Sequence, residues 1–256
     1  MSIMHVRCTY ILHASLFIVG RVSEKAPPVS TLIIIPAYNE EKSIVSTIEE
    51  LRAELPSYDY IIVNDGSQDG TSRVCHEHHY NVIDLPINLG LAGAFQVGMK
   101  FAYRNGYSRA LQFDADGQHV PSYIPFMVSH MDTSKDDIVI GSRFLNEKKP
   151  HSMRMMGSNL ISKLIKLVTG SIINDPTSGM RLYNRKMIEL FATRNDMTPE
   201  PDTLAFLIKY KNALISEEQV VMRERAAGES YLTPTKAISY MIASCSSILF
   251  SLWFRR

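Results

Sequence analysis

The chain has 256 residues, of which 45% are hydrophobic and 21% charged, and 27 Lys+Arg against 26 Asp+Glu leave a net charge of +1. This length supports one substantial core, the apolar fraction excludes a disordered chain, and the charge balance leaves no cationic excess for the phosphates of nucleic acid. Cys8, Cys75 and Cys245 are odd in number, far apart and in no metal spacing. They argue against a disulfide scaffold or zinc module and fit a reducing compartment.

Residues 1–29 read as a poorly ordered N-terminal extension. Ile11–Val19 is largely apolar, but His13 interrupts it, and it is far short of the ~20 residues of a membrane span. Arg7 precedes the run as in a signal peptide, yet no small-x-small cleavage site follows, and Glu24, Lys25, Pro27 and Pro28 come at once. A secretory signal is the minority reading.

Thr31–Ile35 is rich in β-branched residues and closes at Pro36, which predicts a buried parallel strand. Asn39 then suits the cap of a helix from about Glu40 to Leu55, with Glu40 and Glu41 in its first turn. Tyr60–Val63 predicts a second strand, Asp65–Gly70 a turn, and Thr71 onward a helix. Val82–Leu85 predicts a third strand and Leu91–Tyr103 a helix, despite Gly93 and Gly98. Ala110–Phe113 and Asp137–Ile140 predict the fourth and fifth strands. The βαβα order implies an α/β fold, an open and mostly parallel sheet with helices on both faces. Ligands of such sheets sit at the carboxyl ends of the strands.

Three polar clusters collect at those ends: Pro36-Ala-Tyr-Asn-Glu40, Asn64-Asp-Gly-Ser-Gln-Asp-Gly-Thr71 and Asp114-Ala-Asp-Gly-Gln-His119. So many acids on one rim repel one another, and packing alone gives no reason for them. Asp114 and Asp116 are separated by one residue, which in extended backbone points both carboxylates the same way, and Gln118 continues the register. Three hard oxygen donors on one side suit Mg²⁺ or Mn²⁺, with water or phosphate in the remaining positions. A cation held by few protein ligands suits a diphosphate, whose growing charge it neutralises on departure. No Gly-x-x-x-x-Gly-Lys-Ser/Thr loop is present, and no Gly-x-Gly-x-x-Gly follows the first strand. Kinase, ATPase and dinucleotide redox chemistry are therefore disfavoured.

The same clusters, with Asn88-Leu-Gly-Leu-Ala-Gly93, Gly141-Ser-Arg143, Asp175-Pro-Thr-Ser-Gly179 and Arg225-Ala-Ala-Gly-Glu-Ser230, occur in an order that resembles the family 2 glycosyltransferases of GT-A fold. The resemblance covers roughly residues 30–231 and is nearest the dolichyl- or polyprenyl-phosphate sugar synthase branch. It implies that Pro36, Tyr38, Glu40, Val63 and Asp65 hold the nucleoside of a nucleotide-sugar donor. Asp114 and Ala115 would contact the donor, Asp116 and Gln118 would ligate the metal, and Arg143, Arg154 and Arg225 would bind phosphate. Family members of this type invert the anomeric centre by direct displacement.

A lipid-phosphate acceptor is already anionic and needs no base, whereas a sugar hydroxyl needs a carboxylate to take its proton. Asp202 and Glu200 are the candidates, with Asp202 equally suited to cap a helix. Asp175 suits a structural role in its turn. In the lipid-phosphate branch a lysine follows the Gly-Glu-Ser stretch, where this chain has Tyr231. That departure weakens the case for a lipid phosphate. The resemblance thus leaves two acceptors, polyprenyl phosphate or a lipid-linked glycan, and a third reading as a catalytically silent nucleotide-sugar-binding subunit.

Several residues favour plain readings. His76, His78 and His79 lack the spacing of ligands on one helix face and suit a solvated helix end. His119 reads as a neighbour of the metal motif, Met153, Met155 and Met156 as adaptable packing, and Lys148-Lys149 as a solvated turn. Residues 232–256 form the last unit. Ile238, Met241, Ile242, Cys245, Ile248, Leu249 and Leu252 make one helical stripe, and Trp253 with Arg255-Arg256 suits a headgroup boundary. This amphipathic helix would join a membrane, a partner helix or the protein's own core. With a lipid-borne acceptor, that helix or a separate membrane subunit would bring the enzyme to the cytoplasmic face of the membrane as a peripheral protein.

Overall fold

The computed structural model describes residues 18–19, 30–146, 153–224, 241 and 243–250. Eight strands are β1 (Ile18–Val19), β2 (Thr31–Ala37), β3 (Asp59–Asn64), β4 (Val82–Asp84), β5 (Arg109–Gln112), β6 (Ile138–Ser142), β7 (Arg181–Asn184) and β8 (Ile215–Gln219). Between residues 30 and 219 the described α-helices are α1 (Ile44–Glu54), α2 (Thr71–Glu77), α3 (Gly90–Arg104), α4 (Ile124–Ser134), α5 (Met153–Thr169), α6 (Arg185–Thr193) and α7 (Pro201–Lys211). They build one sheet in the order β1-β4-β3-β2-β5-β7-β6-β8.

Six strands run the same way, while β1 and β7 run opposite to their neighbours. The strand expectation therefore holds for β2–β6, with ends moved by one or two residues. The antiparallel β7 and the edge strand β8 carry too little pattern to be found. Ile18 and Val19, inside the expected extension, pair antiparallel with Ile83 and Val82.

Burial on both faces explains the β-branched run in β2. Leu32 and Ile34 join one core with Ile61, Val63 and helices α3, α5, α6 and α7. Their neighbours Ile33 and Ile35 join the other, with Ile62, Leu111 and helices α1, α2 and α4. The glycine inside α3 has a packing reason, since a Cβ on Gly98 would lie 2.2 Å from Ile34 Cγ2. It lets the helix backbone rest on the sheet.

Two local expectations change. Helix α1 begins at Ile44 with Ser43 as its cap residue, and no acid lies in its first turn. Asn39 instead takes a left-handed φ of 57° and turns toward the β3 loop. The helical residues 243–250 pack on the protein's own core: Ile248 is fully buried and Ser244 nearly so, while Leu249 and Phe250 stay exposed. A Cβ on Gly157 of α5 would strike Met241 Sδ, so the two segments approach closely there.

Candidate active site

Because β2, β3, β4 and β5 run parallel, their polar tails meet at one rim. Asn39 Oδ1 accepts from Gln68 N at 2.8 Å, and Ser67 Oγ accepts from Asn39 N at 2.9 Å. Thr71 Oγ1 accepts from Glu40 N, and Glu40 in turn accepts from Ser43 Oγ at 2.5 Å. These bonds fasten the tail of β2 to the tail of β3. Gly66, at φ 67°, brings its backbone so near Ile87 and Asn88 that a Cβ would sit 2.7 Å away. Asp65 is 2% exposed, and its Oδ1 accepts from Leu89 N at 2.7 Å. Burial raises its carboxyl above the usual range against the lowering pull of the Leu89 and Gly90 amides.

The residues expected to hold a nucleoside differ in exposure. Tyr38 is 40% exposed, whereas Val63 is wholly inside the core and offers only its main chain. Asp84 accepts from Asn64 Nδ2 at 2.6 Å and lies 2.7 Å from His76 Nε2. His76 therefore has a structural partner rather than a plain solvated face. Burial would raise the Asp84 carboxyl, yet the Asn64 and His76 bonds leave it below the usual range.

The Asp114–His119 segment follows β5 as a turn, with Gly117 at φ 78°. The alternation of extended backbone therefore does not decide where its carboxylates point. The side chain of His119 does part of that work. It is 2% exposed; its Nδ1 accepts from Asp114 N at 2.9 Å, and its Nε2 lies 3.4 Å from Asp114 Oδ2. Accepting at Nδ1 leaves the ring proton on Nε2, facing that carboxylate. The edge of the ring meets Phe113 at a centroid distance of 5.3 Å. Asp116 is 5% exposed, and its Oδ1 accepts from Gln118 N at 3.1 Å. Ala115 is buried, and its carbonyl accepts from Thr47 Oγ1 at 3.1 Å.

The chain enters the antiparallel β7 at this same rim, so the Asp175–Gly179 turn lies beside Asp114. A Cβ on Gly179 would come within 2.9 Å of Asp114 Oδ2. Beneath the turn, Arg181 is 2% exposed. Its guanidinium donates to the carbonyls of Ser178 (2.9 Å), Pro199 (3.0 Å) and Pro176 (2.7 Å). Three charge-assisted bonds offset its desolvation and tie the turn to the Pro199-Glu-Pro-Asp segment. On the other side Glu217 accepts from the main chains of Asn174 and Asp175 at 2.7 and 2.8 Å.

Other expected residues fall differently. The charge of Arg143 is matched by the fully buried Asp175, with Nε and Nη2 held at 2.7 and 2.8 Å. That pair braces the turn. Glu200 occupies the cap position of α7 and Asp202 its first turn, which removes Asp202 as the cap. Arg154 lies in α5 with its side chain outside the described residues, and Arg225, Tyr231 and Lys148-Lys149 also lie outside them. Sequence reading missed Arg181, Glu217 and Thr47, since their roles depend on strand order and no local spacing reports it. A cleft lined by Ser108, Arg109, Asp132 and Lys186 opens at the far end of β5. Of its cations, Arg109 pairs with Asp132 and Lys186 with Asp137, while Arg185 donates to the carbonyls of Tyr103 and Tyr107.

Replacing the buried guanidinium tests its bracing role. Arg181→Met leaves three carbonyls without their donor and is expected to cost about 3 kcal/mol in urea unfolding. Arg181→Lys, which cannot fork to three acceptors, is expected to recover less than half of that.

The sequence model of the family described as Glycosyl transferase family 2 matches residues 32–191. An undecaprenyl-phosphate mannosyltransferase of Micrococcus luteus is 30% identical over 214 residues, covering 79% of this chain and 87% of that protein. A UDP-N-acetylglucosamine--dolichyl-phosphate N-acetylglucosaminyltransferase of Methanococcus voltae is 31% identical over 204 residues, covering 71% and 80%. Among solved structures, glucosyl-3-phosphoglycerate synthase from Mycobacterium tuberculosis in complex with Mn²⁺ and UDP-glucose matches with a TM-score of 0.63 at 17% identity. That match covers 87% of this chain and 78% of the other and establishes a shared GT-A fold. Strand order, rim and matched sequence together make this chain a member of glycosyl transferase family 2, a glycosyltransferase similar to the polyprenyl- and dolichyl-phosphate sugar transferases.

Proposed function

We propose that the chain moves a sugar from a nucleotide-sugar donor to polyprenyl phosphate by an inverting, metal-dependent displacement. The observation that carries this reading is the Asp114–Gln118 turn, set at the carboxyl rim of a parallel sheet and backed by Gly179. The relatives' acceptors, undecaprenyl phosphate and dolichyl phosphate by their names, support the lipid-phosphate class. Among the described residues no cluster of three His, Cys, Asp or Glu is placed to hold a metal. The oxygens proposed to hold it are instead a carboxylate and an amide, Asp116 and Gln118, with the Asp114 carboxylate in the same turn. Hard oxygens in that number fit Mg²⁺ or Mn²⁺ completed by a diphosphate.

A bound cation would neutralise the charge that builds on the leaving diphosphate. The chain's own residues do the rest. The β2 and β3 tails, with Pro36, Tyr38, Glu40 and Asp65, border the nucleoside. Asp114, held by His119 and seated on Gly179, faces the donor sugar. An acceptor phosphate oxygen attacks the anomeric carbon, the bond from that carbon to the diphosphate oxygen breaks, and the electron pair leaves with the nucleoside diphosphate. Arg225 belongs to the same phosphate-binding set. With a hydroxyl acceptor, the second reading favoured by Tyr231, Asp202 or Glu200 would take the proton.

The exposed surface supports a peripheral position on the membrane. No helix among the described residues is long and apolar enough to cross a membrane. Helix α5 nevertheless exposes Met156, Leu160 and Leu167, the last at 81%, and Ile172 follows beyond its end. Lys163 and Lys166 lie exposed among them. An apolar stripe with interleaved lysines suits an anionic lipid surface on the cytoplasmic side, with the C-terminal helix or a membrane subunit adding contacts.

Two experiments test the reading. Asp116→Ala is expected to abolish Mn²⁺-stimulated transfer to polyprenyl phosphate while keeping the wild-type far-UV spectrum; unchanged turnover removes the metal assignment. The double variant Leu160→Glu/Leu167→Glu is expected to lower co-flotation with anionic vesicles about tenfold or more, since each buried leucine contributes ~1.5 kcal/mol or more. Equal recovery of variant and wild type would remove α5 as the docking face.

A further inference from the structure

Helix α1 reaches the candidate metal turn from two directions. Thr47, buried on the sheet side, donates to Ala115 O. One helical turn later Glu50 meets Arg223, a residue 173 positions away. The pair is forked, with Arg223 Nη1 at 2.8 Å from Glu50 Oε2 and Nη2 at 2.7 Å from Oε1. The main chain of Arg223 brackets Gln118: Arg223 N donates to Gln118 O at 2.9 Å, and Gln118 Nε2 donates to Arg223 O at 3.3 Å. A carbonyl accepts only, so Arg223 O must face the NH₂ of the Gln118 amide. That choice turns Oε1, the metal-ligating atom of the proposed site, to the opposite side.

We propose that Glu50 and Arg223 form a latch that fixes residues 220–224 across the metal turn and thereby presents Gln118 Oε1 to the cation. The inference rests on the metal-dependent reading above. Arg223 is a positioning residue, acting through Gln118. The latch is suited to positioning rather than stability. Its side chains are 47% and 29% exposed, and ion pairs so open to water contribute about 0–1 kcal/mol.

The test compares the full-length chain with Glu50→Gln, Arg223→Ala and the exchanged pair Glu50→Arg/Arg223→Glu at low ionic strength. Free Mn²⁺ is followed by its paramagnetic resonance signal during titration, and amide exchange is followed across 114–120 and 220–224. Each single variant is expected to weaken Mn²⁺ binding about tenfold, as loss of an outer-shell partner does, and to speed exchange at Arg223 N. Melting without metal is expected to move by no more than about 4 °C. The exchanged pair is expected to restore both affinity and protection. Unchanged affinity and exchange in the single variants, or losses that the exchange of charges does not restore, would overturn the latch. A wild-type chain that binds no Mn²⁺ would instead sink the metal reading, and exchange at Arg223 N would still decide whether the latch holds the segment.

Discussion

The geometry of the rim depends on a buried cation held by backbone carbonyls. A sheet of parallel strands brings chain tails to its carboxyl end, but the antiparallel β7 must start there. Arg181 makes that start possible. Its guanidinium, 2% exposed, is surrounded by three carbonyls from Pro176, Ser178 and Pro199. A desolvated charge is tolerated only when its donors are met, so the two loops have little freedom to separate. Gly179 is thereby held under Asp114, and the Glu200-Asp202 segment is drawn to the same edge. A side chain buried beneath the rim decides which acids share it.

Crowding of acids at that rim has two origins, and only one of them is chemical. Asp69 accepts from Thr71 and from the Glu41 amide. Asp65 holds Leu89 N at the start of α3, Asp84 joins Asn64 to His76, and Asp175 is neutralised by Arg143. These carboxylates have structural work: they satisfy the amides that loop backbone exposes when strands end. Repulsion among them is offset locally, bond by bond. The Asp114–Gln118 turn differs in kind. Its first carboxylate rests on a glycine and on the Nε2 side of a buried imidazole, an arrangement that fixes an orientation.

Much of this was legible in the amino-acid order, and the limits are instructive. The runs Thr31–Ile35 and Tyr60–Val63 announced buried parallel strands because both faces of those strands are covered. Once the strands were in place, the position of the polar tails at one rim followed from topology alone. Asn39 misled, since a residue suited to capping also tolerates the left-handed backbone that it adopts at φ 57°. Asp114 and Asp116 were found for a reason that does not hold: the segment is a turn, and strand alternation does not act on it. The resemblance assigns Arg143 to phosphate, and no local pattern reveals its partner Asp175, 32 residues away. Arg181, Thr47 and Arg223 were invisible for the same cause, their partners lying as far as 18, 68 and 173 residues away.

The central claim is that a divalent cation sits between this turn and the donor's diphosphate. It is tested most directly by crystals of the protein grown with Mn²⁺ and a nucleotide-sugar and measured for anomalous scattering from manganese. The account predicts one anomalous peak in contact with an Asp116 oxygen and Gln118 Oε1, bridging to the donor phosphates. A donor bound at the rim with manganese elsewhere, or with no manganese beside Asp116, would contradict it.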